Sequence, residues 1–348
     1  MSKLSAANSY KSTGNRTIEA SISSQILYAE ALARLQSELG YLSDRPDETP
    51  EASLLALWHT AARQPKSVKL ASETTLPSLD ETGVITLKEL VDRHIKGEPL
   101  AHLTGREQFM GIELLAGPDA LVPREETELL GYAALDLLNQ LVAERAGQNA
   151  ARSASLPLRE QLRPANGIVM LDICTGAGNL AIALAHYQPT VKVFASDLSD
   201  DAIRLARRNV SHLGLQQQVH LRQSDLFKAF ENETFYGAVD LVTCNPPYIS
   251  SEKVATLPNG IARYEPRLAF DGGPLGINLL LRLMREAPRY LRPGGWLAFE
   301  VGLGQGPAIV RRLLRNDNAY SAVKTVNDHN GEIRAILARR GYEPADAC

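Results

Sequence analysis

Cysteine is scarce. Cys174, Cys244 and Cys348 are the whole complement in 348 residues, odd in number and without Cys-x-x-Cys spacing, so neither a disulfide framework nor a zinc site is expected. Cys174 and Cys244 read instead as small buried residues. No apolar run reaches membrane-spanning length, and Met1 to Ile22 is rich in Ser, Asn and Lys with no signal-peptide core. The expected location is the cytoplasm, with no membrane partner. Basic charge is not in excess either: 37 Lys and Arg against 40 Asp and Glu leave a net charge of −3, which weighs against nucleic acid as a partner. The remainder, 44% hydrophobic and 22% charged, is the make-up of a globular protein large enough for one big domain or two.

One stretch organises the chain. The apolar run Ala238-Val239-Asp240-Leu241-Val242 leads into Thr243-Cys244-Asn245-Pro246-Pro247-Tyr248-Ile249. A buried strand followed by two prolines must end, because proline has no N–H for the ladder. The chain then leaves at the strand's carboxyl end, where open α/β sheets bind ligands. The Asn245 side chain and the Pro246 carbonyl can accept hydrogen bonds from a planar amino group, and Tyr248 offers a face for stacking. Taken alone, the tetrapeptide fits a plain proline-rich turn equally well.

Upstream, residues 1 to about 17 are polar and expected to be disordered. Ile18 to Gly40 reads as a helix, Thr49-Pro50-Glu51 opens a second, and Thr86 to Lys96 forms a third. His59 and His94 stand apart in these helices and read as surface or packing residues. Short apolar runs between turn signals from Glu98 to Leu114 suggest a β-hairpin. Pro123 opens a long amphipathic helix whose Leu129, Leu130, Ala133, Leu137, Leu138, Leu141 and Val142 face inward, and its acidic first turn suits the helix dipole. Residues 146 to 166 read as a flexible connection. The expected domains are an extension over 1–45 with one helix, a helical domain over 46–97, a hairpin linker over 98–122 and an α/β domain over 123–348.

From Gly167 onward strands and helices alternate. The strand ending Leu171-Asp172-Ile173 runs into the loop Cys174-Thr175-Gly176-Ala177-Gly178-Asn179, then a helix, then a strand ending at Asp197. Strand, glycine loop, helix, strand and acid make a mononucleotide-binding half, and the spacing fits the D-x-x-x-G-x-G of S-adenosylmethionine sites better than a dinucleotide fingerprint. Asp197 can accept both hydroxyls of a ribose, and Ser224-Asp225-Leu226-Phe227 sits at a strand end where an acid can meet an adenine amino group. A long loop from Ser250 to Pro274 exceeds a mere connector. After a helix from Ile277 to Leu291 come a strand from Trp296 to Val301, a short helix, and a hairpin around Asn330-Gly331. The fold class is α/β: a Rossmann-like, seven-stranded methyltransferase sheet with a mixed edge, and an N-terminal helical domain joined by a β-hairpin.

These motifs resemble those of the peptide-chain-release-factor N(5)-glutamine methyltransferases, which are S-adenosylmethionine-dependent enzymes of class I. The matching stretches are Glu98 to Gly105, Phe109, Val122 to Glu128, Asp172 to Gly178, Asp197, Asn245 to Tyr248, Tyr264 to Arg267, Asp271 to Gly273 and Pro293 to Trp296, in family order over roughly residues 98 to 340. The resemblance implies that Asp172, Cys174, Thr175, Gly176, Ala177 and Gly178 surround the methionine part of S-adenosylmethionine. It places Asp197 at the ribose, and Asp225 and Leu226 by the adenine. Asn245, Pro246 and Tyr248 are the implied catalytic residues, with Asn245 also touching the cofactor. Phe109, Arg124, Glu126, Asn245, Pro246, Pro247 and Tyr248 are implied to bind the acceptor, and no metal is implied. The family usually has glycine at Cys174 and proline at Glu125, so the loop is narrower and a charge is added at the site's rim. The first hundred residues match poorly and carry an extra segment of about forty residues.

The implied reaction is N-methylation of the glutamine in the Gly-Gly-Gln motif of a peptide chain release factor. The nearest alternative is a small-molecule amide or amine as nitrogen acceptor. An adenine methyltransferase would use a similar Asn-Pro-Pro-Tyr set but is disfavoured by the charge balance. A non-catalytic cofactor-binding module ranks last because the tetrapeptide is intact.

Overall fold

A computed structural model describes residues 22–39, 45–149, 167–232, 234–256, 264–315 and 319–342. The polar stretch up to residue 17, the helix stop at Gly40 and most of the 146–166 connection lie outside them.

Helices α1 (Ile22–Glu38), α2 (Pro50–Ala61), α3 (Val68–Glu73) and α4 (Glu81–Ile95) form the N-terminal bundle. Thr49 caps α2 by accepting from the Ala52 N–H, with Pro50 in the first turn, as the Thr-Pro-Glu signal implies. Helix α4 starts five residues earlier than expected, because Asp80 accepts from the Gly83 N–H and caps it there. Ala31 and Leu35 of α1 share one core with Leu54, Leu57 and Trp58 of α2 and Leu87, Leu90 and Val91 of α4. A boundary at residue 45 therefore does not separate α1 from this bundle. His59 and His94 are both buried in it, as packing residues.

The stretch expected to begin a hairpin at Glu98 first makes a helical turn, α5 (Leu100–Thr104), which Gly105 ends at φ 68°. That left-handed conformation favours glycine. The hairpin proper is β1 (Arg106–Phe109) and β2 (Ile112–Leu115), paired antiparallel. It is fastened on both sides. Glu113 accepts from the Ser67 N–H and hydroxyl in the bundle, at 2.9 and 3.0 Å. The Leu115 N–H donates to Asn209 of the α/β part of the chain at 2.7 Å.

The α/β part of the chain begins with α6 (Glu125–Asn149). It then alternates β3 (Ile168–Ile173), α7 (Asn179–Tyr187), β4 (Val191–Asp197), α8 (Asp200–His212), β5 (Val219–Gln223) and β6 (Val239–Cys244). A short α9 (Ser251–Val254), then α10 (Asn278–Tyr290), β7 (Leu291–Glu300), α11 (Gly306–Arg315), β8 (Tyr320–Asn327) and β9 (Ile333–Arg340) complete it. The seven strands lie in the order β5-β4-β3-β6-β7-β9-β8. The β3–β7 pairs are parallel and β9 is antiparallel to both neighbours, which is the mixed edge expected from the closing hairpin. Strands β3 and β6 are buried at every residue, the pattern of central strands covered on both faces. One face is covered by α6, α7 and the hairpin, with Leu130, Leu137, Leu138 and Leu141 of α6 inward and Leu129 only half-buried. The other is covered by α10 and α11. Connections leave β3 toward β4 and β5 on one side and return to β6 on the other, so the crevice opens at the carboxyl ends of β3 and β6.

Candidate active site

At that crevice lies a cavity of about 290 Å³. Its lining includes Cys174, Thr175 and Gly176 from the β3 end, Asp197 from β4, Asp225 and Leu226 after β5, and Asn245 and Pro247 after β6. Four strand ends, 71 residues apart in sequence between Cys174 and Asn245, thus meet around one space because parallel strands align their carboxyl ends. A smaller cavity of about 170 Å³ adjoins it, lined by Leu121, Arg124, Glu126, Asn245, Pro246, Pro247, Tyr248, Phe270, Glu300 and Arg334 among others. Asn245, Pro247 and Arg124 line both, so Asn245 stands at the junction.

The glycine loop is held open from beneath. Asp172 is 1% exposed and lines neither cavity; its two oxygens accept from Thr175 and Thr243, both at 2.6 Å, tying the end of β3 to the loop and to β6. Burial raises its carboxyl to about 6, against the pull of those hydroxyls. Gly178 begins α7 at φ 85° and Ala177 packs beneath the loop, so these two shape it without lining the cavity. Asp197 accepts from the Gly176 N–H and the Ser199 N–H, both at 2.9 Å, which aims its carboxylate into the larger cavity. Burial raises its pKa. Asp225 is committed to two cations, Arg282 at 3.0 Å and Lys228 at 2.8 Å, whose hydrogen bonds hold its carboxyl below the usual range.

Cys174 departs from expectation. It is partly exposed and lines the cavity, at φ 58°, while Cys244 is fully buried with its thiol pushed up by burial. A side chain at such a φ costs of order 1–3 kcal/mol. Glycine would sit there without that strain. Leu226, also at the cavity wall, has φ 49°.

Around Asn245 the polar atoms form one chain. Asn245 Nδ2 donates to Thr127 Oγ1 at 3.0 Å, Thr127 Oγ1 donates to Glu300 Oε2 at 2.7 Å, and Tyr248 Oη donates to Glu300 Oε1 at 2.8 Å. Among the described residues, Asn245 Oδ1 and the Pro246 carbonyl accept from nothing, which leaves two acceptors in adjacent residues, Asn245 lining both cavities and Pro246 the smaller one. The tetrapeptide itself is clamped: Gln305 Nε2 donates to the Tyr248 carbonyl, and the Gly272 N–H donates to the Ile249 carbonyl. Burial raises the pKa of both Tyr248 and Glu300, so the phenol stays protonated and donates.

The loop expected to be more than a connector walls both cavities through Pro266, Leu268, Ala269, Phe270 and Asp271. It is bolted by Glu265, 5% exposed, which accepts from the Val122 N–H at 3.0 Å and from Arg124 at 2.6 Å.

Two expected contacts do not form. Phe109 is 1% exposed inside the core with Leu130 and Leu180, because the tight turn after β1 points it at α6 and α7 rather than at either cavity. Glu125 is exposed and lines neither cavity, so the added charge lies away from the junction. Thr127, Glu265, Glu300 and Arg334 were not singled out from sequence. Glu300 left a signal: a carboxylate closing the apolar run Trp296-Leu297-Ala298-Phe299 at the same sheet edge as Asp197.

A seven-stranded mixed sheet, a glycine loop at the switch point and an Asn-Pro-Pro-Tyr turn between two joined cavities define a Rossmann-like methyltransferase. Residues 150–277 match the methyltransferase small domain family. The chain is 33% identical to release factor glutamine methyltransferase of Moorella thermoacetica, over 84% of this chain and 92% of that one. It is 34% identical to that of Gloeobacter violaceus over 69% and 73%, and 32% identical to that of Salmonella typhimurium over 88% and 97%. The chain belongs to the release factor glutamine methyltransferase family. No helix among the described residues is long and apolar enough to cross a membrane.

Proposed function

We propose that the protein transfers a methyl group from S-adenosylmethionine to the side-chain nitrogen of a glutamine, the one in the Gly-Gly-Gln motif of a peptide chain release factor. The observation that carries this reading is Asn245: it lines both cavities with its Nδ2 committed to Thr127 and no donor on its Oδ1 among the described residues, and the next residue, Pro246, lines the smaller cavity with a carbonyl that also accepts from nothing. Two acceptors side by side suit the two N–H bonds of a primary amide. The names of the relatives support the release factor as acceptor and do not favour the small-molecule amide or amine. Translation termination then places the reaction in the cytoplasm.

The larger cavity suits S-adenosylmethionine in its donor set. A carboxylate, Asp197, faces a space walled by Leu198, Leu226, Ala202 and Leu279, and nothing lies within 4 Å of where a Cβ on Gly176 would be, so the loop backbone is open to a ligand there. In this reading Asp197 holds the ribose hydroxyls, and Cys174, Thr175 and Gly176 border the methionine part. Asp225 and Leu226 border the adenine; since both Asp225 oxygens already pair with cations, it orders that wall as well as facing the base. The cofactor supplies an electrophilic methyl group on a positive sulfur.

The protein's own part is orientation. An amide nitrogen is a poor nucleophile because its lone pair is delocalised into the carbonyl. Holding both N–H bonds on Asn245 Oδ1 and the Pro246 carbonyl fixes where that lone pair points, and such alignment can supply up to ~7–11 kcal/mol of a barrier. The same acceptors become stronger partners as positive charge develops on the nitrogen. Pro247, Tyr248, Arg124 and Glu126 line the acceptor cavity.

The test is methyl transfer from labelled S-adenosylmethionine to purified release factor, with a Gln→Ala variant of its Gly-Gly-Gln motif as control. Label on the wild-type factor alone is expected. Cofactor binding without any label on the factor would remove it as the acceptor.

A further inference from the structure

We infer that Thr127 and Glu300 are positioning residues that set the polarity of Asn245, so that its oxygen rather than its amino group faces the acceptor; this rests on the amide-nitrogen reading above. An asparagine amide can sit in its site in either of two orientations of nearly equal shape. Only the oxygen-out orientation accepts N–H bonds. What selects it must be a neighbour of fixed hydrogen-bond direction.

Glu300 is that neighbour. It is 2% exposed, at the carboxyl end of β7; burial pushes its carboxyl up while the two hydroxyls on it pull it down, and in its ionised form it only accepts. Its two oxygens take the Thr127 hydroxyl at 2.7 Å and the Tyr248 hydroxyl at 2.8 Å. Once the Thr127 hydrogen points at Glu300, Thr127 Oγ1 has only lone pairs left to offer. Asn245 must then present Nδ2 to it, as it does at 3.0 Å, and turn Oδ1 toward the cavity. A buried reversal would leave Asn245 Oδ1 facing another lone pair, an unsatisfied polar contact that disfavours it. Arg334 on β9, 8% exposed and lining the same cavity, lies close enough to favour the charged form of Glu300. Glu126 of α6 acts on it in the opposite sense.

The network joins residues 118 and 173 positions apart, and Asn245, Tyr248 and Glu300 of it line the acceptor cavity. Thr127 lines the larger cavity and not the acceptor cavity, so a direct titration of S-adenosylmethionine separates an effect on the cofactor from one passed through Asn245. The arrangement also fixes Tyr248 on the same carboxylate, so the two side chains of the tetrapeptide that face the acceptor share one anchor.

Substitutions at Thr127 and Glu300, read by turnover, cofactor affinity and amide exchange, test this. Thr127→Val, nearly isosteric but unable to accept, is expected to lower kcat on release factor by about tenfold, less than the ~10²–10³ for deleting a transition-state hydrogen-bonding group outright, because Thr127 acts through Asn245. S-adenosylmethionine affinity, titrated directly, should stay within about twofold of wild type, and Thr127→Ser should restore most of the rate. In Thr127→Val/Glu300→Gln the second change should add less than it does in the wild-type background, because both act through one chain. Side-chain amide NMR of Asn245, assigned with Asn245→Ala, should show one amide hydrogen slowed in exchange in wild type and Thr127→Ser but not in Thr127→Val. That readout holds even if release factor proves not to be the acceptor, so failure of the function and failure of this inference are told apart. Turnover of Thr127→Val near wild type, a Thr127→Ser enzyme as slow as Thr127→Val, equal losses of cofactor affinity and kcat, or unchanged exchange in Thr127→Val would each overturn it.

Discussion

Glu265→Ala is the perturbation that bears most on how the site is assembled. The carboxylate sits under the loop that walls both cavities, with its side chain 1% exposed. It takes one backbone bond, from Val122 at 3.0 Å, and one guanidinium bond, from Arg124 at 2.6 Å, and Arg45 lies 3.6 Å away. Arg45 comes from the segment before α2, Val122 and Arg124 from the approach to α6, and Glu265 from the loop after β6; three separate segments meet on one charge. Removing it leaves Arg124, 15% exposed, without its anion and with Nη1 already lacking a partner, while Arg45, 12% exposed, keeps Glu48 at 2.9 Å. Breaking a buried pair from one side costs about 3–5 kcal/mol, and the partial exposure of both arginines places this case at the lower end. Glu265→Gln should cost less, about 1.5–3 kcal/mol, because an amide oxygen can still accept from Val122.

The two tryptophans make the measurement regional. Trp58 is buried in the helical bundle and Trp296 in β7, so urea titrations of Trp58→Phe and Trp296→Phe backgrounds report each part. Both should shift to lower urea in Glu265→Ala. Locally, Arg267, its side chain 72% exposed, should become a faster tryptic site, and S-adenosylmethionine should bind more weakly because Pro266, Leu268 and Ala269 line its cavity. A loss under about 1 kcal/mol, with proteolysis and cofactor affinity unchanged, would falsify the view of Glu265 as the bolt of this loop.

A second expectation concerns pH. Glu107 lies partly buried in the cleft with Glu48, Arg45 and Arg124, and burial raises its carboxyl to about 7. The folded protein therefore keeps a proton that the unfolded chain has already released, so this contribution to stability is present in acid and is lost as pH rises from about 4.5 to 7. Glu107→Gln should flatten that slope and stabilise the protein above neutrality by at most about 3 kcal/mol, read from urea unfolding at several pH values; a gap between variant and wild type that shrinks with rising pH would contradict the assignment. A third concerns Gly272, where a Cβ would meet the Pro247 carbonyl at 2.6 Å and the Tyr248 Cα at 3.0 Å. Gly272→Ala should displace the tetrapeptide, slowing turnover and lowering stability by about 1–3 kcal/mol. Gly117→Ala, with nothing within 4 Å of its Cβ, should do neither.

Much of the site was legible because its parts are local. A glycine loop after a buried strand, an acid closing the next strand, and two prolines closing another are each set by neighbours within a few residues. The strand-end position of each then follows from the rule that parallel strands align. Thr49 and Asn330-Gly331 were readable for the same reason, since caps and tight turns depend on one or two residues. Helices α3 and α5 were missed, being only 6 and 5 residues long, too short for a periodic pattern to emerge. Phe109 was misplaced because an aromatic beside a motif looks the same whether it lines a cavity or fills the core.

By itself the sequence determined the order of strands and helices, the carboxyl-edge location of Cys174 to Gly178, Asp197, Asp225 and Asn245, and the kind of group each could hold. Those properties come from backbone stereochemistry and short-range periodicity. Only the tertiary structure decided that Glu265 joins Arg124 across 141 positions and that Glu300 meets Thr127 across 173. It also decided that α1 belongs to the helical bundle and that Asp172 supports the loop from beneath. These facts turn on which buried donor meets which buried acceptor, and a chain of isolated letters carries no direction for a hydrogen bond until packing brings the two atoms within 3 Å.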